Sequence, residues 1–226
     1  MFQLEWLLTF GFFAYLLGSI PSAVWIGKAF YGKDVRDFGS GNAGATNTFR
    51  VLGKRPGSIV LFFDILKGFL AAKLVIGYEY FQNPEISVIG EYQRVNLMLG
   101  YGMAAVLGHL FPIFAGFRGG KGIATLGGLI IAINHWIAFI AIGLFLLILF
   151  TTRFVSVGSM IAGLSIPLLF VKFFGANHPE YKQPTVLSFT IAIAVLVVYT
   201  HRKNIKRLIQ GNENKANLLP KHKNHA

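Results

Sequence analysis

Three polar segments contain nearly all the side chains that could do chemistry in this 226-residue chain. The first polar segment (residues 18–50) begins with GSIPS and ends with GSGNAGATNTFR. The second (residues 108–125) is GHLFPIFAGFRGGKGIAT, and the third (residues 201–215) is HRKNIKRLIQGNENK. The remaining sequence is mostly apolar, since 54% of all residues are hydrophobic and only 13% are charged. Any site is therefore expected to be built from these three segments.

The first polar segment has the composition of an oxyanion cradle. Glycines permit positive φ and bring backbone N–H groups close to a ligand, while hydroxyl and amide side chains add neutral donors. Arg50 supplies a planar fork that matches phosphate or carboxylate. A tight turn with Arg50 reaching lipid headgroups explains the same residues equally well. The candidate ligand-binding residues are Gly39, Ser40, Gly41, Asn42, Gly44, Thr46, Asn47 and Arg50.

The second polar segment combines glycines with a cation directly before an apolar helix, whose N-terminus attracts anions. Gly119, Gly120 and Lys121 are its candidate site residues. The segment is not a nucleotide P-loop, because Ala115 stands where the first glycine belongs and Gly122 follows the lysine. Glycines at a membrane helix start also serve close helix packing.

The third polar segment places His201 and Asn204 three residues apart, so a helix would put them on one face. A basic turn directly after a membrane span is also a common interfacial anchor. Ser156 is a further hydroxyl donor, for which a packing role fits as well. Asp64 and Lys67 lie one helical turn apart inside an apolar stretch, where charges need partners. We expect them to pair and to be structural.

Charge and residue usage exclude several classes of function. The 21 Lys and Arg exceed the 9 Asp and Glu, giving a net charge of +12. This excess follows the distribution of cytoplasmic loops and can attract anionic lipids, and no nucleic-acid motif accompanies it. The chain has no cysteine, its carboxylates are scattered, and no histidine pair has ligand spacing. We expect no metal, no cofactor and no nucleic-acid partner.

Seven apolar segments are candidates for membrane spans of about 20 residues, which predicts an all-α integral membrane protein. Only Asn134 and His135 separate the fourth from the fifth, so one long kinked span would reduce the count to six. The predicted spans are Leu4–Ile26, Ser58–Tyr78, Val95–Phe114, Gly122–Asn134, Trp136–Phe150, Val155–Phe174 and Val186–Thr200.

Lys and Arg in the connections predict the orientation, because cytoplasmic loops collect them. The first connection and the C-terminal tail are basic, whereas residues 79–94 contain three glutamates and one arginine. The N-terminus is therefore predicted outside, and the C-terminus and all three polar segments cytoplasmic. No Lys or Arg precedes Lys28, so cleavage as a signal peptide is not expected. Residues 1–215 form a single membrane domain and residues 216–226 a basic tail.

Two anion-binding loops beside an imidazole and an amide suit two phosphate groups better than one. A transporter for a phosphorylated solute is one hypothesis. Transporter sites, however, usually lie near the bilayer midplane between inverted repeats, whereas these groups cluster at one face. An enzyme that joins a soluble phosphate compound to a lipidic one fits this placement better.

The three polar segments resemble, in order and spacing, the three motifs of the bacterial acyl-phosphate-dependent glycerol-3-phosphate acyltransferase family, PlsY. The similarity covers nearly the whole chain. It implies seven spans with the N-terminus outside, in the bacterial cytoplasmic membrane. It also implies acyl transfer from acyl phosphate to the 1-hydroxyl of sn-glycerol 3-phosphate, the first acylation of phospholipid synthesis. A separate enzyme must then supply the acyl phosphate.

The resemblance also implies roles for individual residues. Within the site, we ourselves expect backbone groups of residues 39–44, with help from Gly119 and Gly120, to hold the acyl phosphate. Glycerol 3-phosphate would then be bound by Arg50, Lys121, His201 and Asn204. Ser156 is a weaker correspondence, and Glu213 would support structure. The proton from the attacking hydroxyl would pass to a histidine or to the substrate's own phosphate, and we favour the phosphate. The implied catalytic residues are Ser40, Arg50, Lys121, His201 and Asn204.

Overall fold

The computed structural model describes residues 2–82 and 89–216, and all the regular secondary structure within them is helical. Short 3-10 turns cover Val35–Asp37, Ile113–Ala115 and Pro179–Lys182, and a π-helix covers Leu169–Phe174. The α-helices are α1 (Phe2–Ser19), α2 (Ser22–Tyr31), α3 (Ala45–Val51), α4 (Lys54–Gln82), α5 (Glu91–Leu110), α6 (Ile123–Ile133), α7 (His135–Thr152), α8 (Val155–Leu168), α9 (Pro184–Thr200) and α10 (Arg202–Ile209).

The first predicted span is divided, because α1 ends at Ser19 and α2 begins at Ser22. Pro21 has no N–H to continue the helical ladder, and its ring disfavours helical backbone at the preceding residue. Helix α2 then continues to Tyr31 and ends at Gly32, whose left-handed φ of 61° lets its N–H cap the helix. The break leaves the carbonyl of Ile20 available to a side chain from α4.

Helix α4 lies at the centre of the bundle and packs against α1, α5 and α6. Gly68 of α4 meets the carbonyl of Thr125, and Gly128 of α6 meets the carbonyl of Ile65, in both cases so closely that a Cβ atom would collide. Small residues at these crossings let the two backbones approach, as in other membrane helix pairs. This packing fixes the start of α6, which follows the second polar segment.

The fourth and fifth predicted spans are separate helices. Asn134 is extended between them, with φ −153°, and its Oδ1 accepts the N–H groups of Trp136 and Ile137 at 2.9 and 3.2 Å. This is an N-cap for α7. One side of α7 is exposed and apolar, with Phe139, Leu147 and Phe150 each more than half exposed. Such a surface suits contact with lipid.

Four apolar stretches in the described part of the chain are long enough to cross a membrane, and the bent pair α9–α10 would make five. They are Leu4–Tyr31, Glu91–Ala115, His135–Thr152 and Val155–Phe174. Helix α4 is long enough but is not among them, and it carries charges such as Asp64 and Lys67. Helix α6 has only 11 residues.

Candidate active site

Glu213 is the centre of a network that joins three parts of the chain. Its carboxylate accepts hydrogen bonds from Ser156 Oγ at 2.9 Å, Asn204 Nδ2 at 2.6 Å and Arg207 Nε at 2.7 Å. Burial alone would raise the pKa of Glu213, but the hydrogen bonds from Arg207, Asn204 and Ser156 lower it. The carboxylate therefore stays charged and ties α8 and α10 together.

Lys121 reaches this network from the second polar segment. Its Nζ donates to Asn204 Oδ1, so the Asn204 side chain bridges the ammonium and the Glu213 carboxylate. Burial lowers the pKa of Lys121 to about 8; Glu213 opposes this shift, whereas Arg207 and Arg50 add to it. Near neutral pH the ammonium is charged, and it lies in a field of further cations that favours a dianionic ligand.

His201 lies between α9 and α10 and is 2% exposed. Its Nδ1 is 2.7 Å from the carbonyl oxygen of Val197, which assigns the proton of the neutral ring to Nδ1. Burial and the nearby Lys121 lower the pKa of His201 to about 4. In the residues the structure covers, Nε2 makes no hydrogen bond. The ring is thus neutral near pH 7 and offers Nε2 as an acceptor.

Asn47 organises the first polar segment from within. It is 1% exposed, and its Oδ1 accepts the N–H of Ser40 at 2.8 Å. Its Nδ2 donates to the carbonyls of Val35 at 2.7 Å and Phe38 at 3.1 Å. A Cβ at Gly39, whose φ is 62°, would collide with the Asn47 amide. The Asn47 side chain is therefore engaged with its own loop, which leaves it no donor for a ligand.

The end of this segment is helical, not an open loop as predicted, because α3 begins at Ala45 and includes Thr46, Asn47 and Arg50. Positive φ occurs at Gly39 and Gly41. The prediction of positive φ was wrong for Gly44, which is extended at −142° and precedes α3 as its N-cap. Extended backbone at the cap points the first N–H groups of the helix outward.

Free backbone donors occur in the same segment, although slightly later than expected. Across the described residues, the N–H groups of residues 42 to 46 find no hydrogen-bond acceptor. The N–H of Gly41 is engaged with Phe38 at 3.0 Å, and that of Ser40 with Asn47. The candidate oxyanion cradle is thus residues 42–46, beside the exposed side chains of Ser40 and Arg50.

Gly119 and Gly120 have their N–H groups engaged by the chain itself. Gly119 donates to the carbonyl of Leu110 at 3.2 Å and Gly120 to that of His109 at 3.1 Å. A Cβ at either glycine would collide with His109. The expectation that these N–H groups hold acyl phosphate is therefore wrong for this geometry. The glycines instead let the chain pass close to α5, which sets the position of Lys121.

The expected pair of Asp64 and Lys67 is present beneath the site, with Nζ and Oδ1 2.9 Å apart. Ser22 Oγ donates to the same carboxylate oxygen at 2.7 Å, and Lys67 Nζ also donates to the Ile20 carbonyl at 3.0 Å. His109 Nδ1 lies 3.6 Å from Asp64 Oδ1, too far for a hydrogen bond. The cluster joins α4 to the break between α1 and α2.

Sequence reasoning missed Arg36. Its Nε and Nη2 donate to Asp34 at 3.0 and 2.7 Å, and its Nη1 donates to the carbonyls of Ala115 at 2.8 Å and Arg118 at 3.3 Å. No sequence signal pointed to acceptors 79 and 82 residues away.

The predicted site residues fall into two groups. Lys121, Asn204, Glu213 and Ser156 form one continuous network, and His201 lies beside it. No hydrogen bond joins Ser40 or Arg50 to this network among the residues described, but Arg50 is close enough to lower the pKa of Lys121. Within residues 2–82 and 89–216, no three His, Asp or Glu side chains are grouped as metal ligands would be.

Comparison with known proteins identifies relatives over nearly the whole chain. Residues 8–211 match the profile of the family described as glycerol-3-phosphate acyltransferase. The glycerol-3-phosphate acyltransferase of Pelodictyon phaeoclathratiforme is 39% identical, over 92% of this chain and 96% of that protein. That of Chlorobaculum tepidum is 42% identical, over 89% and 93%.

The fold agrees with the sequence. PlsY (YgiH), an integral membrane glycerol 3-phosphate acyltransferase, has a crystal structure in its glycerol 3-phosphate form that matches with a TM-score of 0.78 and 37% identity, over 93% of this chain and 96% of that one. Its lysophosphatidic acid form matches with a TM-score of 0.75, 36% identity, and 93% and 95% coverage. By sequence and by fold, this chain belongs to the glycerol-3-phosphate acyltransferase family.

Proposed function

We propose that this protein transfers an acyl group from acyl phosphate to the 1-hydroxyl of sn-glycerol 3-phosphate. The hydroxyl oxygen bonds to the acyl carbon, the bond from that carbon to the phosphate oxygen breaks, and 1-acyl-sn-glycerol 3-phosphate and inorganic phosphate leave. Family membership and the glycerol 3-phosphate and lysophosphatidic acid forms of PlsY support the acceptor and product. The observation that carries the proposal is the partly buried Lys121 ammonium, held by Asn204 beside His201 and near Arg50.

The two phosphates are assigned to different parts of the site. Lys121, Asn204 and Arg50 bind glycerol 3-phosphate, because two cations and an amide suit a phosphate dianion that enters from the aqueous phase. The free N–H groups of residues 42–46, with the Ser40 hydroxyl, hold the acyl phosphate. Such donors strengthen as charge moves onto the leaving phosphate. Holding the hydroxyl within about 3 to 3.5 Å of the acyl carbon supplies a large part of the rate increase.

The proton of the attacking hydroxyl goes to the phosphate that leaves, and His201 Nε2 accepts a hydrogen bond from the other hydroxyl of glycerol 3-phosphate and so helps to hold the substrate. A pKa of about 4 makes the His201 ring a weak base near pH 7, which supports this route. A histidine with a pKa close to the working pH would be the better general base. Ser156 donates to Glu213, so we assign Ser156 to support of Asn204 instead of substrate contact.

For topology, we propose seven crossings with the N-terminus outside and the C-terminus and the site in the cytoplasm of a bacterial cell. Helix α4 supplies the second crossing: Asp64 pairs with Lys67 and Glu79 with Arg94 at 2.8 Å, and the Lys73 ammonium lies 5.7 Å from the centroid of the Phe69 ring. Pairing reduces the cost of charges in a span. Short α6 supplies the fourth, packed against α4. To test this topology, single cysteines can be introduced into this cysteine-free chain and probed with an impermeant maleimide.

Residues 1–215 act as one domain and residues 216–226 as a basic tail. Ala216 donates its N–H to the carbonyl of Arg153 at 2.7 Å, and the rest of the tail lies outside the described residues. The protein works without a cofactor or metal and depends on another enzyme for acyl phosphate. Undiminished activity in excess chelator is the expected result for metal independence.

The deciding experiment uses purified protein in lipid vesicles with labelled glycerol 3-phosphate. Palmitoyl phosphate or palmitoyl-CoA is supplied as the only acyl donor, and lysophosphatidic acid is measured. We expect product with palmitoyl phosphate alone. Product from palmitoyl-CoA alone would refute the proposed donor. Uptake of glycerol 3-phosphate without product from either donor would refute the enzyme and favour a transporter.

A further inference from the structure

Arg36 connects the first polar segment to the second. Its guanidinium is only 13% exposed and uses three nitrogens: two on the Asp34 carboxylate and Nη1 on the carbonyls of Ala115 and Arg118. Asp34 is itself 12% exposed and also lies 3.3 Å from Lys28. The carboxylate fixes the direction of the guanidinium fork, and the fork then reaches the other segment.

No other hydrogen bond or ion pair in the described chain joins residues 34–50 to residues 111–122. On the near side, the Val35 and Phe38 carbonyls flanking Arg36 are held by Asn47, which also binds the Ser40 N–H. On the far side, Ala115 and Arg118 precede Gly119 to Lys121 directly. Arg36 therefore connects two rigid local units that carry the candidate site residues.

Each of these two units carries a cation of the candidate site. Arg50 belongs to the first unit and Lys121 to the second, and Arg50 lowers the pKa of Lys121 because the two cations repel each other. A phosphate dianion between them would remove the repulsion, but it is absent before binding. Until then, the hydrogen bonds of Arg36 to the Ala115 and Arg118 carbonyls oppose the repulsion.

We propose that Arg36 is a positioning residue that keeps the Arg50 and Lys121 units together in the empty enzyme, so that glycerol 3-phosphate meets a preformed site. This inference rests on the proposed function. Once bound, the phosphate itself bridges the two cations, so Arg36 matters for binding more than for the chemical step. If the competent arrangement falls to a tenth of the population, the apparent dissociation constant rises about tenfold.

The first measurement reports on loop geometry and does not depend on activity. The chain has no cysteine, so Phe38→Cys and Phe117→Cys, at side chains 47% and 57% exposed, accept nitroxide labels specifically. Pulsed electron resonance then gives the distance distribution between the two segments. We expect Arg36→Gln to broaden it and added glycerol 3-phosphate to narrow it again. A distribution unchanged by Arg36→Gln would overturn the proposal.

The second measurement separates positioning from a general loss of structure. Arg36→Gln should raise KM for glycerol 3-phosphate about tenfold and change kcat less than twofold. Arg36→Lys should bring KM part of the way back to the wild-type value, because an ammonium can donate to one carbonyl but cannot bond Asp34 and both carbonyls at once, as the guanidinium does. Arg55→Gln removes the same charge from an exposed side chain without such contacts and should leave KM unchanged. A lower kcat with unchanged KM in Arg36→Gln would contradict the proposal.

Failure of the proposed function would be visible in the unsubstituted protein. If it formed no lysophosphatidic acid from palmitoyl phosphate, the acyltransferase assignment would fail. The nitroxide distances would still decide whether Arg36 holds the two segments together. Conversely, full wild-type activity together with an unchanged distance distribution in Arg36→Gln would overturn only the role of Arg36.

Discussion

The two sides of the candidate site are built in different ways. Around Glu213, every polar group that carries the network is bonded to another side chain, from Lys121 through Asn204 to Ser156 and Arg207. In the first polar segment, Asn47 bonds only backbone groups, and residues 42–46 keep their N–H groups free. On the Glu213 side, the polar side chains bond one another. In the first polar segment, Asn47 holds the backbone in place, and the N–H groups of residues 42–46 have no acceptor among the described residues.

This difference separates the tasks of the two sides. A bonded carboxylate holds cations and amides in one geometry, so loss of one member leaves the others buried and unpaired. Free N–H groups cost little when they face water and gain their partners when an anion arrives. Substitution of Glu213, the acceptor that three donors share, should therefore change folding and activity together, whereas substitutions among the free donors should change activity alone.

The largest effect is expected from Glu213→Ala. Three donors lose their acceptor, and one of them belongs to an arginine. Each such loss costs roughly 1–3 kcal/mol, so thermal unfolding in detergent should begin several degrees lower and acyl transfer should be abolished. Glu91→Ala is the matched control, because its 3.3 Å pair with Arg94 is exposed. An unchanged melting temperature in Glu213→Ala would show that the network does not stabilise the fold.

The next largest effect is expected from Lys121→Ala. It removes the one ammonium that contacts Asn204 and costs charge-assisted binding of a dianion, so KM for glycerol 3-phosphate should rise on the order of 100-fold. The melting temperature should not fall, because burial already disfavours this charge. Initial rates over a wide range of glycerol 3-phosphate, with differential scanning fluorimetry, measure both. Wild-type kinetics would remove Lys121 from the site.

Asn47→Ala and Asn42→Ala compare a side chain that holds the loop together with one that is free to donate to a ligand. Asn47→Ala deletes three hydrogen bonds to the loop, so it should lower kcat/KM roughly tenfold and destabilise the protein by about 1–3 kcal/mol. The Asn42 side-chain amide has no hydrogen bond to any described residue and is a further free donor beside the N–H groups, so Asn42→Ala should leave unfolding unchanged while raising KM for palmitoyl phosphate. Equal destabilisation by both would contradict the distinction between these two side chains.

The sequence was sufficient to identify the family and the helical membrane fold, and it indicated the three segments that carry the candidate site residues. Residue type and local spacing indicate Lys121, His201 and Asn204 because charged and imidazole side chains next to spans need a reason to be there. The pairing of Asp64 with Lys67 followed from a spacing of one helical turn.

Local spacing could not show which donors are already engaged. Asn47 and Asn42 have the same chemistry, yet only Asn47 is directed into its own loop. Gly119 and Gly120 suggested free N–H groups, but their acceptors lie on α5, about ten residues earlier, and depend on how the chain folds back. Arg36 reaches carbonyls far along the chain, and backbone carbonyls have no signature in the sequence.

The pH dependence should show the smallest effect, and it compares the two titratable groups beside the network. Burial lowers the pKa of Lys121 to about 8, so its ammonium is lost as pH rises through that value and kcat/KM for glycerol 3-phosphate should fall. For a single group with this pKa, the charged fraction falls roughly fourfold between pH 7 and 8.5. Lys121→Arg should remove the decline, because arginine stays charged.

In contrast to Lys121, His201 is not expected to change its protonation state in this pH range. Its pKa of about 4 means that the ring is neutral throughout the range from pH 6 to 8. If the leaving phosphate takes the proton, any acid limb of the kcat profile near pH 6.5 should remain in His201→Gln, because a phosphate group titrates in the same range as an ordinary histidine. A kcat that falls with acid around pH 6.5 and loses this limb in His201→Gln would make His201 the general base. The same profile would also mean that substrate binding raises the pKa of His201, since the empty site holds it near 4 through burial and the charge of Lys121.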